Sequence, residues 1–188
     1  MNYNNKKFDF EIYQSIKDLS VYSGGPTKTV KELSSNLINA GLNLKLITQN
    51  GYIKFSNLKN KNLNYESYLK SRVSLNPLIN KELINFARKK LNTKSKKIIH
   101  DNGIWLPFNN TIYKISREMN IPLVISPHGM LEPWCINYKS FKKKIVWNIY
   151  QYRGLKSAKV LHATSEKEAY NLKKLNLNIP IAIIPNGI

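Results

Sequence analysis

The sequence predicts an α/β fold, a doubly wound parallel sheet of Rossmann-like type. Three observations carry that expectation. Short apolar runs alternate with helical periodicities along the chain, the order that builds a parallel sheet covered by helices. Near the amino terminus a strand, a glycine loop, a helix and a second strand follow one another, which is a βαβ unit, normally right-handed and parallel. Residues able to do chemistry stand directly after several strands, where open α/β sheets hold their ligands.

Residues 8–13 (FDFEIY) alternate apolar and polar and form the first expected strand. A loop then ends in Tyr22-Ser23-Gly24-Gly25-Pro26-Thr27. Val30, Leu33, Leu37 and Ile38 recur at helical spacing with the small Ser34 on the same face. Pro26 suits the first helical turn and Gly41 the stop, so residues 42–48 make a second strand. Residues 51–76 are rich in Asn and Lys without a period, an irregular excursion whose aromatic residues Tyr52, Phe55, Tyr65 and Tyr68 imply that parts of it pack. A helix over residues 79–91 is marked by Leu83, Phe86, Ala87 and Leu91, and residues 97–100 form a short third strand. A helix over 108–119 leads into the apolar run 121–125, a buried parallel strand, and a single long helix is expected over 141–155. The next strand is 159–163. Ser165 with Glu168 three residues on forms a capping box for a helix reaching about Leu175, and residues 181–184 are the last strand.

A chain of 188 residues with 42% hydrophobic content suits one domain with a proper core. One cysteine, Cys135, fits a reducing compartment, and the amino terminus lacks the apolar centre of a signal peptide. The expected location is therefore the cytoplasm. Thirty Lys and Arg against eleven Asp and Glu give a net charge of +19. That excess favours anionic partners, although most lysines are scattered as a general compositional bias would scatter them. The denser cluster Lys139–Lys144 opens a helix, and a basic helical face suits peripheral contact with an anionic membrane. No nucleic-acid motif is present, and nucleic acid is not an expected partner.

The stretch with the most chemistry is Ser126-Pro127-His128-Gly129-Met130-Leu131-Glu132-Pro133-Trp134. Pro127 fixes this loop, Gly129 gives it freedom and His128 arms it. His100 also ends a strand, in His100-Asp101-Asn102-Gly103-Ile104-Trp105, so both imidazoles should face one crevice. Such groups can donate to a hydroxyl, a phosphate or a developing oxyanion near neutral pH. Asp101 could act as a base or accept from hydroxyls. His162 lies inside a strand and suits a structural role. Trp105 and Trp134 offer faces for sugar rings or for core packing. Gly24 and Gly25 sit between a strand and a helix start, where backbone amides and the helix dipole favour an anion. Neither the G-x-G-x-x-G spacing nor a P-loop lysine accompanies them. His100, Asp101, His128 and Glu132 could in principle ligate a metal, but no ligand-spacing pattern supports a metal site, and none is expected.

Together these residues resemble the amino-terminal half of family 4 glycosyltransferases, of the GT-B fold class. The matching pieces are Gly24-Gly25-Pro26, Gly41 with residues 42–48, the His100–Trp105 run, the Pro127–Trp134 run, His162-Ala163-Thr164-Ser165-Glu166 with Glu168, and Ile184-Pro185-Asn186-Gly187. They occur in family order over nearly the whole chain, and the His-Gly-Met-Leu-Glu-Pro-Trp run is the specific one. The resemblance implies transfer of a sugar from a nucleotide-sugar to an acceptor hydroxyl with retention, without a metal or other cofactor. It implies His128 at the reaction centre, Gly24 and Gly25 near the donor diphosphate, and His100, Asp101, Trp105 and Glu132 on the acceptor side. It further implies work on lipopolysaccharide, capsule or exopolysaccharide at the inner face of the plasma membrane. Family members continue past the Pro-Asn-Gly segment into a second, nucleotide-binding domain. Residues 1–188 are accordingly expected to be the acceptor-side domain alone, inactive without a carboxy-terminal half. The competing expectation is a non-catalytic module of the same fold that binds a glycan or a phosphate.

Overall fold

The computed structural model describes residues 10–19, 25–48, 81–91 and 95–186. Six parallel strands form one sheet: β1 (Phe10–Ser15), β2 (Asn43–Ile47), β3 (Lys96–Asn102), β4 (Leu123–Ser126), β5 (Val160–Ala163) and β6 (Ile181–Ile183). Their order is β2-β1-β3-β4-β5-β6. From β1 the chain goes outward to β2, and the next described strand, β3, returns to the other side of β1. The order therefore reverses between β1 and β3, the kind of switch point that opens a crevice at the carboxyl ends of the strands. The expected doubly wound parallel sheet is the one observed.

Helix α1 (Gly25–Asn39) packs Val30 and Ile38 with Leu44 and Leu46 of β2 on one side of the sheet. Gly41, at φ +87, lets the chain turn out of α1 into β2. The larger core joins α2 (Lys81–Leu91), α3 (Pro107–Glu118) and α7 (Glu166–Lys173) to Ile99, Leu123, Ile125 and Leu161 of the central strands. Strand residues in that core alternate with residues of the opposite face, as the period of two requires. The expected excursion over 51–76 lies outside the described residues. Among the described residues no helix is long and apolar enough to cross a membrane.

The single helix expected over 141–155 is observed as one run of helical backbone over residues 140–156, widened by a π-helical turn and preceded by a separate short helix. A short α4 (Pro133–Asn137), with Pro133 in its first turn, follows the His128 loop, and α5 (Ser140–Val146) starts after Lys139 in the left-handed region. A π-helical turn, Trp147–Gln151, then leads into α6 (Tyr152–Lys156). The wider turn brings the consecutive residues Tyr150 and Gln151 both inward. Tyr150 Oη donates to the Trp105 carbonyl at 2.6 Å, and Gln151 accepts from Trp105 N at 2.8 Å while donating to Tyr113 Oη at 3.1 Å. The periodicity of apolar residues does not encode that bulge.

Candidate active site

The parallel register sets Gln14 beside His100 and Asn102 beside Ser126. Neighbours in register project to the same face, so strand ends from β1, β3, β4 and β5 share one polar row. Asn102 Nδ2 donates to Gln14 Oε1 at 2.8 Å, and Gln14 Nε2 meets His100 Nδ1 at 3.0 Å. His100 Nε2 lies 2.6 Å from Ser126 Oγ, which lies 2.6 Å from His162 Nδ1. His128 reaches the row from the loop beyond β4, its Nε2 lying 3.0 Å from Asn102 Oδ1. His100 and His128 thus converge, as expected, and His162 joins them through Ser126. Burial lowers the His100 pKa to about 3, with the nearby His162 and His128 adding to the effect. Burial also lowers that of His128 to about 4, against an opposing pull from Glu168. Both imidazoles are neutral near pH 7.

Both loops that frame the row hold strained backbone. His128 has φ +51 and Gly129 φ +74, while Gly103 has φ +98 and the bulky Trp105 φ +76. Left-handed backbone at a tryptophan costs on the order of 1–3 kcal/mol and persists only where the surroundings impose it. The surroundings of Trp105 are explicit. Its backbone N–H and C=O are held by Gln151 and Tyr150, and its Nε1 donates to the Met130 carbonyl at 3.1 Å. This last bond ties the β3 loop to the β4 loop. Lys143 Nζ stands over the Trp105 ring, 5.6 Å from its centroid.

The His128 loop is held from below by Glu168. Ser165 Oγ accepts from Glu168 N at 3.2 Å, so half of the expected capping box is present. The carboxylate does not return to the cap. One oxygen accepts from Gly129 N at 2.7 Å, and the other from Thr164 N and Thr164 Oγ1, both at 2.8 Å. An amide in place of that carboxylate must turn its NH2 toward at least one backbone N–H. Glu168→Gln is expected to cost about 1.5–3 kcal/mol in urea unfolding and to shift the Gly129 amide resonance. A variant with unchanged stability and an unmoved Gly129 signal would show that the staple carries nothing.

Asp101, expected on the acceptor side, is instead fully buried on the opposite face of β3, because consecutive strand residues alternate. It accepts from Ser15 Oγ at 2.6 Å and from Asn109 Nδ2 at 2.9 Å. Asn109 in turn accepts from Leu106 N and donates to the Gly103 carbonyl, so Asp101 supports the Trp105 loop from beneath. Burial raises its pKa to about 7 against those hydrogen bonds. The native carboxyl thus keeps its proton up to about 7, while the unfolded one releases it near 3.8. Between those values the native state binds the extra proton, so this group's stabilising contribution falls as pH rises and is lost above 7. The side-chain amide of an Asp101→Asn variant cannot titrate. The stability of the parent minus that of the variant should fall by about 1.4 kcal/mol per pH unit between pH 5 and 7 and level off above. A difference constant with pH, measured by urea unfolding from pH 5 to 8, would mean that Asp101 is ionised throughout.

Glu132 is half-buried and accepts from Asn171 Nδ2 at 2.8 Å. Trp134 projects freely, 71% exposed. Gly25 opens α1, and among the described residues, its chain neighbours and own helix aside, nothing lies within 4 Å of where its Cβ would be. Gly24 lies outside the described residues. Among the described residues no three His, Cys, Asp or Glu side chains group so as to hold a metal ion.

Sequence reasoning does not single out Gln14, Asn102, Ser126 or Gln151, and it assigns Glu168 only to a helix cap. The available signal is their place. Gln14, Asn102 and Ser126 are buried polar residues at the carboxyl ends of strands, where burial demands partners.

Comparison with known proteins completes the assignment. The family model for Glycosyltransferase Family 4 matches residues 23–188. The chain also resembles the crystal structure of HepE from Anabaena in complex with UDP-glucose, at 15% identity and a TM-score of 0.58. That superposition covers 95% of this chain and 44% of HepE, so the chain spans less than half the length of that protein. No match was found among curated protein sequences. The six-stranded parallel sheet, the polar row at its switch point and the family match over nearly the whole length lead to one conclusion: the chain belongs to glycosyltransferase family 4.

Proposed function

We propose that these residues form the acceptor-side half of a retaining glycosyltransferase that moves a sugar from a nucleotide-sugar to an acceptor hydroxyl. The observation that carries it is His128, neutral, strained and open on one ring nitrogen, at the carboxyl end of β4 beside the switch point. Such a group can orient the donor sugar and stabilise charge as the glycosidic bond loosens. Family membership supports the transfer and its retention, and the UDP-glucose bound to HepE supports a nucleotide-sugar donor. The diphosphate would lie near Gly24 and Gly25 at the start of α1. Trp105 and Glu132 would face the acceptor, with His100 and Asp101 bracing the two loops behind them. The resemblance implies that the reaction would run without a metal. The remaining nucleotide contacts would come from a carboxy-terminal half outside residues 1–188. Release of nucleoside diphosphate tests this. These residues alone should give negligible turnover, and the same residues joined to such a half should turn over. Turnover by residues 1–188 alone would overturn the division of labour, and none from the joined protein on any nucleotide-sugar would overturn the transferase reading.

We place the acceptor on a lipid at an anionic membrane, as in lipopolysaccharide, capsule or exopolysaccharide synthesis, at the cytoplasmic face. Phe141, Ile145, Ile149 and Tyr152 recur at steps of three and four along the helix that follows the Lys139 turn, and they are exposed, as are Trp134 and Tyr138 just before it. Residues 133–165 contain no Asp or Glu but carry Lys139, Lys142, Lys143, Lys144, Arg153, Lys156 and Lys159. An apolar row flanked only by cations suits an acidic bilayer surface. In vesicle flotation the protein should bind anionic and not zwitterionic membranes. Phe141→Ala, removing a 75% exposed side chain, should weaken that binding about ten-fold. Equal binding to both lipids, or none, would remove the membrane from the account.

A further inference from the structure

The polar row has a direction, and two separate anchors set it. At one end His162 Nε2 lies 2.8 Å from the Ile184 carbonyl, which can only accept. The His162 proton is therefore on Nε2, and in the neutral ring Nδ1 accepts the Ser126 hydroxyl proton. Ser126, its proton committed, accepts from His100 Nε2. His100 Nδ1 is then bare and accepts from Gln14 Nε2. Gln14 Oε1 accepts from Asn102 Nδ2, and Asn102 Oδ1 accepts from His128 Nε2. The second anchor is Asn102 itself. Its Nδ2 also lies 3.3 Å from the Ser15 carbonyl and 3.2 Å from the His100 carbonyl. Two further main-chain acceptors around one atom require that atom to be the nitrogen, so Oδ1 must face His128 whatever the state of the distant histidines. The two ends agree on one polarity.

We propose that Asn102 is a positioning residue that holds His128 as its Nε2–H tautomer. The bare Nδ1 is left without a partner among the described residues and is not buried. In this state His128 accepts a hydrogen bond from a substrate hydroxyl and has no proton on the exposed nitrogen to give. That use of Nδ1 rests on the sugar-transfer reading above, whereas the tautomer does not. Gln14, His100, Ser126 and His162 extend the same polarity to the main chain beyond β6.

Long-range proton–nitrogen NMR of the 188-residue chain with 15N-labelled histidine, near pH 7.5, reads each ring nitrogen directly and needs no substrate. His128, His100 and His162 should each show a protonated Nε2 and a bare Nδ1. Asn102→Leu should release His128 alone into a mixture of tautomers. Ser126→Ala cuts the row at a distance and should leave the His128 tautomer in place, because the two carbonyls still orient Asn102. A His128 proton on Nδ1 in the parent protein overturns the proposal without reference to any variant, so a poorly folding Asn102→Leu protein does not protect it. An unchanged single tautomer in a folded Asn102→Leu protein overturns it as well. If the tautomer is as described but a joined, active transferase loses nothing on replacement of His128, the tautomer stands and the sugar contact falls.

Discussion

In the two-domain transferase proposed above, His128→Asn is expected to lower kcat by roughly 10²–10³ with a much smaller change in KM for the proposed donor. Asparagine is the informative replacement because it tolerates the left-handed backbone that His128 adopts at φ +51, so the loop is not strained further. Among the described residues the ring's hydrogen bond is to Asn102, and its loss leaves that buried amide oxygen without a partner, at a cost of about 1–3 kcal/mol of stability. A rate loss measured on protein shown to be folded at the assay temperature therefore belongs to the reaction. An interaction made mainly in the transition state lowers kcat and kcat/KM together, while one that merely holds substrate raises KM. Retained kcat in His128→Asn would reduce His128 to a loop anchor.

The largest expected effect on stability is at Gly154. This glycine lies in α6, buried directly against the ring of Tyr113 in α3, so that an added Cβ would overlap the Cδ2–Cε2 edge of the ring. Tyr113 has nowhere to go, being fully buried with its hydroxyl held by Gln151. Gly154→Ala should therefore push α6 from α3 and cost about 3 kcal/mol, the upper end of ordinary overpacking, even though alanine favours a helix. The same shift would disturb Gln151 and Tyr150, which fix the Trp105 backbone. A double-mutant cycle checks the cause. In the Tyr113→Ala background, where the ring is gone, Gly154→Ala should cost almost nothing, giving a coupling of at least about 2 kcal/mol. Additive effects would place the cost elsewhere.

Much of the sheet was legible in the sequence, because parallel buried strands are short apolar runs between helical patterns. The strand expected over 181–184 is β6 at Ile181–Ile183, and the helix expected over 108–119 is α3 at Pro107–Glu118. Convergence of His100 and His128 was legible too, since both were expected at strand ends, although β3 runs two residues beyond His100 to Asn102. Three things were not. Asp101 was expected in the crevice from its place beside His100, but alternation sends adjacent strand residues to opposite faces, so the neighbour in sequence is the wrong neighbour in space. The Trp147–Gln151 bulge leaves the apolar spacing nearly helical and is set by tertiary partners, Trp105 and Tyr113, far along the chain. Glu168 fits a capping box locally, yet the Gly129 and Thr164 donors take its carboxylate instead, and only the fold brings Gly129 within reach.

The most direct measurement is a crystal structure of the complete transferase with its nucleotide-sugar bound. The account predicts a donor-sugar hydroxyl within hydrogen-bond distance of His128 Nδ1, about 2.7–3.2 Å away, with Nε2 still on Asn102 and the diphosphate at the start of α1. A sugar bound away from the ends of β3 and β4, or a His128 ring turned so that Nδ1 meets no ligand, would contradict it.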